Sequence, residues 1–191
     1  MSPPPPEAEL ETLMARYQQG DASAAAELVT RLSPALHRFF VMRYVSRRYA
    51  DDLLQETWLR IHEVRHTYRP GQPVLPWLYA IARHIRVDHY RKAQRSEIRE
   101  QSVDESGDIP QTAAGGSART PDLEALLATL PESQREVIAM LKVSGMSLEE
   151  VARATSSSVG SVKQKAHRAY EKLRERLHQL GIRTAREGTP S

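Results

Sequence analysis

Apolar residues along this chain recur at intervals of three and four and do not alternate at two, so the pattern predicts helices and no strands. A first helix covers Ala8 to Gln19 and stops at Gly20, and Asp21 can cap a second running to Leu32. Ser33 followed by Pro34 at the first helical position opens a third, with Leu36, Phe40 and Tyr44 on one stripe and Arg38 and Arg43 off it. A fourth spans Asp51 to Val64, where Leu54, Trp58 and Ile61 form a broad apolar face that Leu53 and Leu59 extend. Thr67 to Leu75 holds two prolines and a glycine and reads as a loop. Pro76 then starts a fifth helix to about Arg95, burying Leu78, Ile81, Ala82 and Ile85.

From Ser96 to Thr120 the chain turns polar, acidic and rich in Ser, Gly and Ala, too poor in apolar surface to offset its ordering entropy, so a linker is expected there. Beyond it, DLEALLATL and PESQREVIAMLK read as two helices ended by Gly145. Ser147 with Glu150 forms a capping box for the short helix SLEEVARAT, and Ser156 to Ser158 separate it from the long helix VGSVKQKAHRAYEKLRERL. A short capped helix, a tight turn and a longer basic helix make a helix-turn-helix. The expected fold class is all-α, with two small helical domains joined by a flexible linker and the helix-turn-helix in the second.

The length of 191 residues allows one ordinary domain or two small ones. Cysteine is absent, which excludes disulfides, thiolate nucleophiles and cysteine-held zinc or iron–sulfur centres. No apolar run reaches the length of a membrane span, since VLPWLYAIA is short and broken by Pro76. The start MSPPPPEAELE has neither a basic nor an apolar signal region, and a cytoplasmic protein without direct membrane insertion is expected. Net charge is only +3 but unevenly spread: −2 over residues 1–20, +6 over 21–95, −3 over 96–121 and +2 over 122–191. Two basic blocks flank an acidic one, and clustered cations favour a polyanion through counterion release.

The last long helix sharpens that expectation. Val159, Val162, Ala166, Ala169, Leu173, Leu177 and Leu180 fall on one stripe, leaving Lys163, Gln164, His167 and Arg168 together on the opposite face. A polar, basic face just after the turn is where a recognition helix reads base edges in the major groove. Lys165, Arg174 and Arg176 fit phosphate contacts or plain surface. In the fifth helix, Trp77, Tyr79 and Tyr90 are interleaved with Arg83, His84, Arg86, His89, Arg91, Lys92 and Arg95, a mixture of stacking rings and cations suited to opened or single-stranded nucleic acid. One competing motif is HEVRH, His62 to His66, the H-E-x-x-H pattern of zinc metalloproteases; a third ligand would have to come from His84 or Asp88. A free-standing helix-turn-helix regulator is the other alternative. The separated basic surfaces and the lack of a dimerisation stripe speak against it.

Three strings carry a resemblance: DDLLQETWLRIHEV, PWLYAIARHIRVDHYRKAQR and LPESQREVIAMLKVSGMSLEEVARATSSSVGSVKQKAHRAYEKLRERL. In this order the chain resembles the bacterial extracytoplasmic-function (ECF) sigma factors of the sigma-70 family over nearly all of residues 21–178. The resemblance implies a promoter-specificity subunit of RNA polymerase that acts by binding, is not an enzyme and needs no cofactor or metal. It implies a region 2 domain over residues 8–95, an acidic linker over 96–121 and a region 4 domain over 122–183. Asp52, Gln55, Glu56 and Trp58 match the segment that grips the coiled coil of the polymerase's largest subunit, and the polymerase flap is a second implied contact. Tyr68 and Arg69 in the loop, with Tyr79, Arg83, His84, Arg86, Tyr90 and Arg91 in the following helix, match the segments that melt the −10 element and capture a flipped base. Ser161, Lys163, Gln164, His167 and Arg168 match the segment that reads the −35 element. Promoter DNA and an anti-sigma protein are the other implied partners. Ser156 and Ser157 stand where the family usually has a glycine and an aliphatic residue, Thr155 where it has leucine, and His84 where it has asparagine.

Overall fold

The computed structural model describes residues 7–42, 47–101 and 123–180, and among them every regular element is helical. Helix α1 spans Glu7–Gln18 and α2 spans Ala22–Val41. The joint between them is built from local chemistry. Gly20 takes a left-handed φ of 91°, so the amides of Gly20 and Asp21 turn back onto the carbonyls of Tyr17 and Arg16 at 3.0 and 3.1 Å, closing α1 in a Schellman motif. The Asp21 carboxylate then accepts from the amides of Ser23 and Ala24, capping α2, and pairs with Arg16 at 2.7 Å. The Ser23 hydroxyl, Arg16 and the two amides together hold the Asp21 carboxyl well below the usual carboxylate range.

The expected break at Pro34 does not occur. Helix α2 runs on through it as one element, and Leu28, Leu32, Leu36, Phe39 and Phe40 form a continuous buried stripe on both sides. Proline removes one intrahelical bond, and burial of that stripe on both sides of it outweighs the loss.

Helix α3 covers Arg47–Val64 and ends in a 3-10 turn, Arg65–Thr67. A loop follows in which Gly71 has φ 80°, and α4 then runs from Val74 to Gln101. It therefore starts before Pro76 and carries the first residues of the expected linker; the rest of that linker lies outside the described residues. Glu7 reaches from α1 to accept from the Val74 amide, placing a carboxylate at the start of α4, where the helix dipole favours it. Burial pushes the Glu7 carboxyl up, and the Val74 amide opposes that shift.

The second half contains α5 (Leu123–Ala128), α6 (Glu132–Ile138), α7 (Leu148–Ala154) and α8 (Val159–Gln179). Between α6 and α7 the chain passes through a π-helical segment, Ala139–Val143, where the Ser144 amide bonds the Ala139 carbonyl at 3.2 Å. Gly145, with φ 68°, ends it where the spacing predicted a stop.

Phe39 packs edge-on against both Phe40 and Tyr79, with ring centroids 5.4 and 5.2 Å apart, at the centre of the first half. The same buried cluster continues into the second half through Val137, Met140, Met146 and Val151. Helix α4 packs against α7, and α2 against the π-helical segment. A smaller cluster of Leu127, Leu130, Ile138 and Ala169 seats α5 and α6 on α8. The two halves thus share a core, which no local periodicity foretold.

Candidate nucleic-acid interface

The helix-turn-helix forms as its sequence predicts. The Ser147 hydroxyl accepts from the Glu150 amide at 3.2 Å, and Glu150 accepts from the Ser147 amide at 2.6 Å, completing the capping box of α7. At the far end, the amides of Ser156 and Ser157 bond the carbonyls of Arg153 and Ala152 at 3.2 and 2.9 Å. That Schellman turn requires a left-handed residue, and Ser156 supplies it with φ 50°. Thr155 and Ser157 share a hydroxyl bond of 2.7 Å across the turn. Ser158 then caps α8 by accepting from the Ser161 amide at 3.2 Å.

Beyond that cap, α8 divides as the spacing predicts. Val162, Ala166 and Ala169 are buried, and Val159, Leu173 and Leu177 are half-buried. Leu180 is the exception at 49% exposed, because the helix has ended and nothing described covers it. Lys163, Gln164, His167 and Arg168 are exposed, and Ser161 is half-buried at the near edge of their face. Glu171, one turn on, lies 3.3 Å from His167 Nε2. This face can donate hydrogen bonds from the Lys163, Gln164 and Arg168 side chains, the donor set that suits purine edges and phosphates.

The other cationic helix is arranged differently. On α4, His84, Tyr90 and Arg91 are exposed, as is Arg69 in the loop before it. Tyr68 and Tyr79 are buried. The Tyr68 hydroxyl donates to the Gln72 carbonyl, its ring lies edge-on to Trp77 at 5.6 Å, and burial with Glu11 and Glu7 nearby pushes its phenol up to about 12. Tyr79 accepts from the Ser144 hydroxyl, and burial raises its phenol as well. Arg86 is buried against Glu132 and Glu136, and Arg83, half-buried, lies 3.3 Å from Glu136. Of the eight residues expected at −10, four therefore face solvent here and four are covered or partly covered.

A groove of about 760 Å³ runs between α3 and α4, walled by Leu59, Arg60 and Glu63 on one side and Trp77, His84 and Asp88 on the other. A second, more apolar groove of about 460 Å³ lies across α2 and α3, lined by Val29, Leu54, Gln55, Trp58 and Leu59. Asp52, Gln55 and Glu56 are exposed on α3, and Trp58 is half-buried with its indole donating to Ser33 at 2.9 Å. Leu53 belongs to the core as expected, whereas Leu59 is 60% exposed and belongs to the grooves. Val29, 39% exposed on α2, is a groove residue that periodicity could not single out, since it adjoins the buried stripe.

The HEVRH motif does not assemble. The His62 ring bonds the Tyr17 hydroxyl at 2.8 Å, Glu63 pairs with Arg60 at 3.0 Å, and His66 lies past the end of α3 in the 3-10 turn. The two histidines do not share one regular helical face, and no cluster of three metal-ligating side chains occurs among the described residues. Among the same residues, no helix is long and apolar enough to cross a membrane.

Two family models match the chain. The family described as "Sigma-70 region 2" matches residues 13–96, and "Sigma-70, region 4" matches 121–173. RNA polymerase sigma factor CarQ of Myxococcus xanthus is 34% identical over 176 residues, covering 91% of this chain and all of the relative. ECF RNA polymerase sigma factor SigF of Caulobacter vibrioides is 34% identical over 174 residues, covering 90% and 95% of the two chains. Among solved structures, the sigma factor RpoE of Bartonella quintana, in complex with the anti-sigma factor NepR, superimposes with a TM-score of 0.66 at 27% identity, covering 80% of this chain and 95% of that one. CnrH, in complex with the cytosolic domain of CnrY, shares the fold at a TM-score of 0.69 and 24% identity, over 90% of this chain and 98% of that one. With both regions matched in order and a relative aligned along its whole length, this chain belongs to the ECF group of the sigma-70 family, the subunits that direct bacterial RNA polymerase to promoters.

Proposed function

We propose that the division of labour within this sigma factor follows its surfaces. Residues 8–95 form the unit that docks on polymerase and opens the −10 element, residues 122–183 form the unit that reads −35 duplex, and the acidic stretch 96–121 connects them. The observation that carries the reading is the exposed face of Lys163, Gln164, His167 and Arg168, presented directly behind a capped helix and a tight turn. On the first unit, the apolar groove across α2 and α3, with Asp52, Gln55 and Glu56 beside it and Trp58 in its wall, suits a coiled coil that brings both apolar and basic side chains. The surface of His84, Tyr90, Arg91 and Arg69 suits unstacked bases and their phosphates. Capture of those bases offsets an unstacking cost of about a few kcal/mol per base.

On this reading the protein works in the cytoplasm, binds core polymerase at the largest-subunit coiled coil and the flap, contacts promoter DNA and is held in check by an anti-sigma protein. Its action is by binding alone, without catalysis and without a cofactor. The test is co-elution of the purified chain with core polymerase, followed by mapping of transcription starts from the reconstituted holoenzyme. A shared −35 and −10 motif upstream of those starts is the expected result. A chain that binds duplex operators alone and ignores polymerase would overturn it.

A further inference from the structure

The loop that carries Arg69 has little of its own to hold its shape. Pro70 and Pro73 have no amide hydrogen to donate, Gly71 stands at φ 80°, and Arg69, Pro70, Gly71 and Gln72 are exposed. Inside the loop, the Gln72 amide bonds the Arg69 carbonyl at 3.2 Å and the Tyr68 hydroxyl donates to the Gln72 carbonyl. Its two ends are tied to α1, a helix that carries none of the residues assigned to DNA. At the entrance, the Gln18 side-chain amide donates to the carbonyls of Arg65 and Tyr68 at 2.7 and 2.8 Å, using both hydrogens of one nitrogen. At the exit, the Glu7 carboxylate accepts from the Val74 amide. Glu7 and Gln18 are the first and last residues of α1, about 16 Å apart along its axis. Helix α1 is itself fixed. Leu10, Leu13, Met14 and Tyr17 are buried, the Tyr17 hydroxyl bonds His62 Nδ1 at 2.8 Å, and the Arg65 guanidinium lies 5.8 Å from the centre of the Tyr17 ring.

We infer that α1 braces the base-capturing loop, with Gln18 and Glu7 as positioning residues that hold its two ends and so aim Arg69 at the opened strand, a role that rests on the reading of this loop as part of the −10 surface. A loop that ordered only when a base arrived would give up its conformational freedom at that step and bind more weakly. Held in advance by a packed helix, it meets the base in one arrangement. Neither positioning residue needs to touch DNA: Gln18 is half-buried and acts through two backbone carbonyls, and Glu7 acts through a backbone amide.

The test titrates the holoenzyme with a single-stranded −10 oligonucleotide, taken from a start site mapped with it, and with copies of that strand in which one nucleotide at a time is abasic. The parent should lose most affinity when the captured base is missing. Gln18→Met keeps the length of the side chain and removes both donors. It should shrink the ratio of intact to abasic affinity about tenfold, the worth of one or two ordinary hydrogen bonds. Affinity for the abasic strand, binding to core polymerase and helicity should stay at the parent's values. Glu7→Ala should act in the same direction, and Glu7→Gln, which keeps an oxygen for the Val74 amide, should restore the parent's ratio. Ratios unchanged in both Gln18→Met and Glu7→Ala would overturn the inference. So would losses that fall equally on intact and abasic strands, the pattern of a merely structural role. A parent holoenzyme that binds every abasic strand as tightly as the intact one would instead overturn the reading of the loop as a capture site, and the brace's role with it.

Discussion

On α8, Lys163, Gln164, His167 and Arg168 stand exposed along one face; on α4, Arg86 is buried between two glutamates and Arg83 leans on one of them. Both helices are basic, both follow a turn, and both carry cations at helical spacing. What separates them is the partner on the other side. The apolar stripe of α8 is covered from within its own half by α5, α6 and α7, which leaves its polar face outward. Helix α4 is covered on one side by α1 and α3 and on another by α7, so a charge placed off its main stripe can still end in an interface. Cations in a sequence identify a surface that attracts anions; whether the anion is nucleic acid or the protein's own carboxylate is decided by packing over long distances.

The sharpest way to break this comparison is to remove one cation from each helix. Arg86→Ala removes one of the two guanidinium groups on the buried Glu136, leaving Arg83, and should lower stability by about 2 kcal/mol in chemical unfolding. Arg168→Ala should leave stability within about 0.5 kcal/mol of the parent. A loss no larger for Arg86→Ala than for Arg168→Ala would show the Arg86 ion pairs to be solvated. In exchange, Arg168→Ala should cost about 1–3 kcal/mol in holoenzyme binding to −35 duplex and relax preference at one base position, read by competition among single-base variants. Transcription from a template already opened across −10 should be unaffected. Equal failure on duplex and opened templates would move Arg168 out of base reading and into folding or polymerase contact.

Arg174, exposed further along α8, provides a milder contrast within one helix. Arg174→Ala should weaken all sequences alike and reduce the slope of log affinity against log salt by about one unit, as measured by titration at several salt concentrations. The smallest effect belongs to the turn. A glycine at Ser156 relieves the left-handed strain at φ 50° but adds freedom to the unfolded chain. Ser156→Gly should raise stability by about 0.5 kcal/mol in thermal unfolding and leave −35 preference unchanged. A drop in stability would mean that the Ser156 side chain contributes a contact outweighing its backbone cost.

Features whose causes lie within a few residues were legible in the sequence. The capping box of Ser147 and Glu150, the stops at Gly20 and Gly145, the tight turn before α8 and the division of α8 into two faces all follow from spacing and side-chain chemistry. Pro34 was misleading because the rule that places proline in a first turn competes with the buried stripe from Leu28 to Phe40, and burial wins. Leu59 was assigned to a core face by periodicity, yet α3 presents it to solvent beside two grooves. The burial of Tyr79 and Arg86 was not legible, because Ser144, Glu132 and Glu136 lie 46 to 65 residues away and no local pattern pairs them.

The π-helical segment gives this protein slack in length at one place. Ala139–Val143 accommodates one residue beyond α-helical register, and the Ser144 amide reaches back five residues to close it. Deleting a single codon there would let an ordinary α-helix form while the turns on either side keep close to their present phase. A deletion inside the regular helix α8 has no such slack and would turn everything beyond it by about 100°. Single-residue deletions between Ala139 and Val143 should therefore survive in a library selected for promoter activity more often than deletions within the first turns of α8.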